Sequence, residues 1–164
     1  MILDNFAFLS GAVSATGALT GQLLTANSTL GTNTMDLGPL SLGGNQVGDT
    51  GAGESLAVEF SVLVAPTAVT TVRFELIQAD DAALTSNVQI INRTDDFPIA
   101  SLPAGTLVPL NYNRAAPYAP KRYIGVRYVA TGGTTLASMS VVAAIVKNMQ
   151  DLKNIFYKSG FSVA

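Results

Sequence analysis

The chain has 164 residues, no Cys and no His, 12% charged residues and a formal net charge of -2 at pH 7. That length fits one compact domain that buries roughly 70% of its unfolded surface, so a core forms without disulfides or metals. Without His or Cys the chain builds no Ser/His/Asp or Cys/His nucleophile and no ordinary zinc site; only carboxylate, Lys or Tyr chemistry remains, and a non-enzymatic role with no cofactor is expected.

The weakly acidic balance does not steer the chain toward nucleic acid or an anionic membrane, and neither is expected as a partner. A surface so poor in charge and rich in Gly, Ala, Ser and Thr associates unless a partner covers it, which points toward assembly. The absence of Cys leaves the redox compartment open.

Residues 1–15 hold an apolar stretch and a Val13-Ser14-Ala15 sequence that imitates a signal-peptide cleavage site. They lack Lys and Arg and carry Asp4, so export is not expected. A short strand is expected at 5–9, followed by an irregular Gly/Ala/Ser/Thr tract over 10–33, a strand at 34–37 and a Gly-rich loop over 43–53. Within that loop, Gly48-Asp49-Thr50-Gly51-Ala52-Gly53-Glu54 has neither the ending of a Walker loop nor the spacing of an EF-hand, so it reads as a flexible connection.

The clearest strand covers 56–65, where Leu56, Val58, Phe60, Val62 and Val64 share one face and Glu59 and Ser61 the other. A second covers 72–79, with Val72, Phe74 and Leu76 on one face and Arg73 and Glu75 on the other. The short connection 65–70 contains Pro66, and a hairpin is the simplest reading, with pairings such as Val62 with Phe74 and Phe60 with Leu76. If the two strands lie in opposite sheets, the same residues meet across the core.

Further strands are expected at 87–91 and 106–109. Five of the seven prolines fall between Pro98 and Pro120, so that region reads as an extended, meandering connection and not as a central strand. Residues 123–130 alternate again, and Thr131-Gly132-Gly133-Thr134 is a turn signal. Residues 138–147 are apolar on both faces, as in a central or covered strand, and the apolar run 136–146 is far shorter than the ~20 residues of a membrane helix, so a soluble protein is expected. About eight strands with no amphipathic helix predict an all-β antiparallel sandwich or barrel. The domain is expected over 1–149, with a C-terminal tail over 150–164.

The acidic pairs Asp80-Asp81 and Asp95-Asp96 suit a hard cation or acid/base chemistry, but adjacent residues of an extended chain point apart, and Asp serves turns by bonding the local backbone. Solvated turns are the better reading. Arg114, Lys121 and Arg122, interleaved with Tyr112, Tyr118 and Tyr123, form a basic-aromatic cluster that suits a protein contact better than nucleic acid, with a plain solvated loop close behind. The tail carries Leu152, Ile155, Phe156, Tyr157 and Phe161, which either fold back on their own domain or dock on a partner. Asn92-Arg93-Thr94 matches a glycosylation acceptor, which is uninformative without export.

Several phrases, in their order, resemble the Bbp16-like family of phage capsid cement proteins. They are the Met1 opening with Asp4 and Phe6, Met35-Asp36-Leu37-Gly38, Val72-Arg73-Phe74-Glu75-Leu76, Arg122-Tyr123-Ile124-Gly125-Val126-Arg127-Tyr128 with its Thr131-Gly132-Gly133-Thr134 turn, the terminal strand and the closing Tyr157-Lys158-Ser159-Gly160-Phe161. The resemblance implies a jelly-roll subunit made in the host bacterial cytoplasm and carried on the outer face of a tailed-phage icosahedral shell. It implies the major capsid protein as partner, and self-association as dimers near twofold positions ahead of trimers. The tract 10–33 and the loop 43–53 are longer than the family pattern. Two rival readings remain on the same architecture: a carbohydrate-binding module on a virion surface, which ordinarily offers exposed aromatic platforms although Trp is absent here, and a glycosidase, which needs two carboxylates held ~5–9.5 Å apart.

Overall fold

Side chains that alternate along an extended chain can bury one row and solvate the other, and the long alternating runs here do so as strands. The computed structural model describes residues 7–14, 18–40, 46–47, 56–112 and 120–147. The short strands of the N-terminal part are β1 (Phe8–Ser10), β2 (Ala12–Val13), β3 (Leu19–Thr20), β4 (Gln22–Leu24), β5 (Ser28–Leu30), β6 (Met35–Asp36), β7 (Pro39–Leu40) and β8 (Gln46–Val47). Then come β9 (Leu56–Val64), β10 (Thr71–Ala79), β11 (Gln89–Arg93), β12 (Phe97–Pro98), a 3-10 turn (Ile99–Ser101), β13 (Leu107–Tyr112), β14 (Tyr123–Thr131) and β15 (Met139–Val146). Among the described residues there is no α-helix, and no helix is long and apolar enough to cross a membrane.

In the first sheet β1 and β4 both pair with β15, which pairs with β9, which pairs with β13. In the second, β11 and β12 pair with β10, which pairs with β14, which pairs with β5 and β6. Counting β1/β4, β5/β6 and β11/β12 each as one position, the spatial orders are 1-8-3-6 and 2-7-4-5, all antiparallel. Position one lies beside eight, two beside seven, three beside six and four beside five, which is the winding of a jelly roll. The all-β antiparallel sandwich expected from the sequence is thus the fold.

The hairpin expected between 56–65 and 72–79 is not formed. β9 is paired on both edges by β15 and β13, and β10 by β14 and β11/β12, so no edge remains for them to share. Residues 65–70 cross from one sheet to the other, with Pro66 buried and Ala68 left-handed at φ 69. Phe60 and Phe74 therefore meet across the core, ring centroids 5.0 Å apart, and Tyr128 stands edge-on to both at 5.9 Å. Aromatic pairs in such tilted and edge-on geometry contribute about 0.5–1.5 kcal/mol beyond the area they bury.

β15 is apolar on both faces because both are covered. Met139, Val141, Ala143 and Ile145 enter the main core, while Val142, Ala144 and Val146 pack with Phe8 and Ala57, and with Val13, Leu19 and Leu63 at the margin. The tract 10–33, expected to be irregular, instead carries β2 to β5 and places Leu24 wholly inside. Ser10 Oγ donates to Gln22 Oε1 at 2.7 Å, that oxygen also accepts from the Thr32 amide, and Gln22 Nε2 donates to the Leu30 carbonyl. This side-chain network closes the open flank between the two sheets.

Residues 98–112 hold no central strand, as expected: β13 lies at a sheet edge with Pro109 exposed, where a missing N–H costs no ladder bond. Asn92 Nδ2 donates to the Asn111 carbonyl at 2.8 Å and ties that edge to the second sheet. Of the loop 43–53, only Gln46 and Val47 fall within the description, and they pair with Pro39 and Leu40; the tail 150–164 lies outside the described residues.

Candidate interaction surface

β9 runs from Leu56 toward the 65–70 crossing and β10 runs back from it, so Leu56 and Ala79 lie at the same end of the sandwich. Tyr112 joins them there opposite Leu56, and Tyr123 opposite both Ala79 and Asp36. Of the candidate contact residues, Tyr112, Lys121 and Arg122 are described and gather at this end. Arg114, Tyr118, Leu152, Ile155, Phe156, Tyr157 and Phe161 lie outside the described residues.

The two cations are held by distant parts of the chain. Arg122 grips Asp36 with Nε to Oδ1 at 2.7 Å and Nη2 to Oδ2 at 2.8 Å, and its guanidinium stands 5.0 Å from the Tyr123 ring centroid. Arg122 and the Gly38 amide hold the Asp36 carboxyl down at about 2, and the same pairing raises Arg122. Lys121 donates Nζ to Asp80 Oδ1 at 2.9 Å and its amide to Gln78 Oε1 at 3.1 Å. Tyr112 is half-buried and packs against the main core.

Asp80 and Asp81 form a turn as expected. Asp81 accepts from the Thr85 and Ser86 amides and the Thr85 hydroxyl, and Asp80 accepts from Lys121 and Asn87. These partners lower both carboxyls, with Lys121 the chief cause at Asp80 and Ser86 at Asp81. The turn also drops Leu84, left-handed at φ 56, onto Ile77, Ala79 and Gly125 on the outer face of the second sheet.

Three further features were not singled out from the sequence. On the outer face of the second sheet, Glu75 is 1% exposed with Arg73 Nε at 2.9 Å from Oε1, and Arg127 on Oε2 at 2.6 Å, while Arg73 Nη1 reaches Asp96 at 3.2 Å. Alternation along 72–79 turns Arg73 and Glu75 outward, and only the register, which sets Glu75 opposite both Arg93 and Arg127, shows that these charges meet. Leu23 and Val64, 60% and 45% exposed, both lie opposite Ser140 and form an uncovered apolar spot on the first sheet. Inside the core, burial pushes the Tyr128 phenol up, only partly offset by the nearby Ser10 hydroxyl, and its Oη makes no hydrogen bond among the described residues.

Among the described residues no three His, Cys, Asp or Glu side chains are grouped to hold a metal ion. The class is a jelly-roll sandwich whose strands and loops are tied together by side-chain hydrogen bonds and ion pairs. A family model for Bbp16 matches residues 18–145, from the β2–β3 connection almost to the end of β15, and the chain belongs to the Bbp16 family. No match is found among curated proteins.

Proposed function

We propose that this chain is a capsid cement protein that binds the outer face of a tailed-phage icosahedral shell and bridges neighbouring major capsid proteins. The observation that carries the reading is the Bbp16 match over 18–145, which takes in nearly the whole sandwich. The charge-poor composition and the lack of His and Cys support a structural role without catalysis or cofactor. The partners are the major capsid protein and a second copy of the chain, with neither nucleic acid nor membrane, and the site of residence is the outer surface of the virion after synthesis in the host cytoplasm.

The physical task is to add buried area across seams of the shell. One copy covering about 1,600 Å² forms an interface of ordinary size, although area alone does not set affinity. Copies that are repeated over a lattice, or joined in pairs, turn later contacts into intramolecular ones at high effective concentration. Mass spectrometry and imaging of purified particles test the reading: the chain is expected in mature virions with density on the outer face, and its absence from them overturns the proposal.

A further inference from the structure

The outer face of the second sheet has two unlike halves. One is strapped by the 80–88 turn, with Leu84 seated over Ile77, Ala79 and Gly125. The other carries a cross-strand row of Arg93, Glu75 and Arg127 over β11, β10 and β14, with Arg73 two residues before Glu75 on the same face.

Glu75 has both oxygens engaged and almost no exposure, so it serves as an internal anchor holding Arg73 and Arg127 against the sheet. The hydrogen-bonding capacity left pointing outward is donor capacity. Arg73 keeps Nη2, Arg127 keeps Nη1, and Arg93 is exposed with no partner for its guanidinium among the described residues. A ladder that served the fold alone is complete with one Arg for each Glu75 oxygen; Arg93 is a third cation in the row. The carboxylates beside it are Asp96, already on Arg73, and Asp95, exposed at the margin.

We propose that this half of the sheet face receives an acidic side chain from a loop of a partner protein, clamped between Arg93 and Arg127. Guanidinium and carboxylate match as planar forks, and an Arg already fixed by Glu75 loses little rotamer freedom on binding. Asp95 and Asp96 limit the occupant to an isolated carboxylate, and a polyphosphate backbone, whose affinity comes from neutralising many phosphates at once, fits poorly on three cations that already have Glu75, Asp95 and Asp96 among them. The inference rests on the shell-binding reading only for which protein supplies the carboxylate.

The probe is an octapeptide of Gly and Ser with one central Glu residue, titrated into the full chain at about 1–10 mM with NMR detection of the arginine Nε–H signals. Saturable shifts are expected at Arg93, Arg73 and Arg127, and none with Gln in place of Glu. Arg93→Ala, which removes an exposed side chain whose guanidinium has no partner among the described residues, is expected to raise the apparent Kd about tenfold, while Lys147→Ala, of equal net charge just past β15 on the first sheet, leaves it unchanged. Unmoved arginine signals, or equal losses from Arg93→Ala and Lys147→Ala, overturn the clamp without touching the shell reading. Virions that lack the protein remove the proposed partner and leave a positive peptide result standing.

Discussion

The two ends of the sandwich hold their loops by different chemistry. At the end of Tyr112 and Tyr123, Asp36 with Arg122, Asp80 with Lys121, and Asp81 with the Thr85 and Ser86 amides fasten β6, the 80–88 turn and the start of β14. At the opposite end the segments 25–27, 65–70 and 132–138 contain no ionisable side chain. There Thr67 and Ala137 exchange backbone bonds at 3.0 and 3.1 Å, and the Thr134 amide donates to Ala68. The Asn27 side chain accepts from the Leu136 amide and donates to the Thr134 carbonyl. Left-handed residues at Ala68, Gly132, Gly133 and Ser138 shape these turns. Both ends are fixed, but only one by groups that acid or salt can disarm.

The largest expected effect comes from the uncharged end. Gly133 has φ 69, and a Cβ there would run into the Ala68 carbonyl oxygen, which is backbone and cannot swing away. Gly133→Ala should cost at least about 2 kcal/mol from left-handed strain plus the clash. Urea unfolding should show the same loss near pH 7 and near pH 3; a loss that shrinks in acid would mean that charge reaches this end after all.

Acid should act at the other end. Asp36, Asp80 and Asp81 are all held below the ordinary carboxylate value, so each contributes stability that is complete above its unfolded pKa near 3.9. That contribution is lost as pH falls through the folded values, which for Asp36 is about 2. The urea midpoint should therefore fall between about pH 4 and pH 2. Asp36→Asn should flatten this limb while Gly133→Ala lowers the whole curve in parallel. An acid limb of unchanged slope in Asp36→Asn would remove the Asp36 pair from the account.

Salt offers a finer cut. Lys121→Met deletes an ion pair whose acid is 47% exposed, and such pairs contribute little and are screened. Its small loss in Tm at low ionic strength should vanish in about 1 M NaCl, where the Debye length is about 3 Å. Gly133→Ala should be indifferent to the same change; equal salt responses of the two variants would erase the distinction between the ends.

Much of this architecture is legible in the chain, and the gaps have physical causes. The runs 56–65, 72–79, 123–130 and 138–147 are long enough for period two to stand out, and they became β9, β10, β14 and β15. The strands β2 to β5 span two or three residues each, too few for periodicity; β2 and β3 pair with each other, while β4 is placed by β15, β5 by β14, and the Gln22 bonds join the two. Whether β9 and β10 form a hairpin or face each other depends on who occupies their other edges, which no local pattern records. Likewise Lys121 and Arg122 are visible as a basic cluster, but their acids lie 41 and 86 residues away along the chain. Membership in one ion pair is a property of the winding.

The smallest expected effect probes what the uncharged end gains from its strained turns. Ala68 is exposed and left-handed, a conformation that costs an ordinary residue about 1–2 kcal/mol. Ala68→Gly removes that cost but frees the unfolded chain by roughly 0.5–1 kcal/mol, leaving a net gain of about 0.5 kcal/mol. Ser138, at φ 55, has the same geometry with a different duty, because its hydroxyl lies 2.6 Å from Thr67 Oγ1 while that oxygen also donates to the Ala137 carbonyl at 2.9 Å. Ser138→Gly relieves the same strain and loses that bond, worth about 1 kcal/mol, so its urea midpoint should stay level or fall. If Ser138→Gly stabilises as much as Ala68→Gly, the hydroxyl pair holds nothing, and this end rests on its backbone bonds alone.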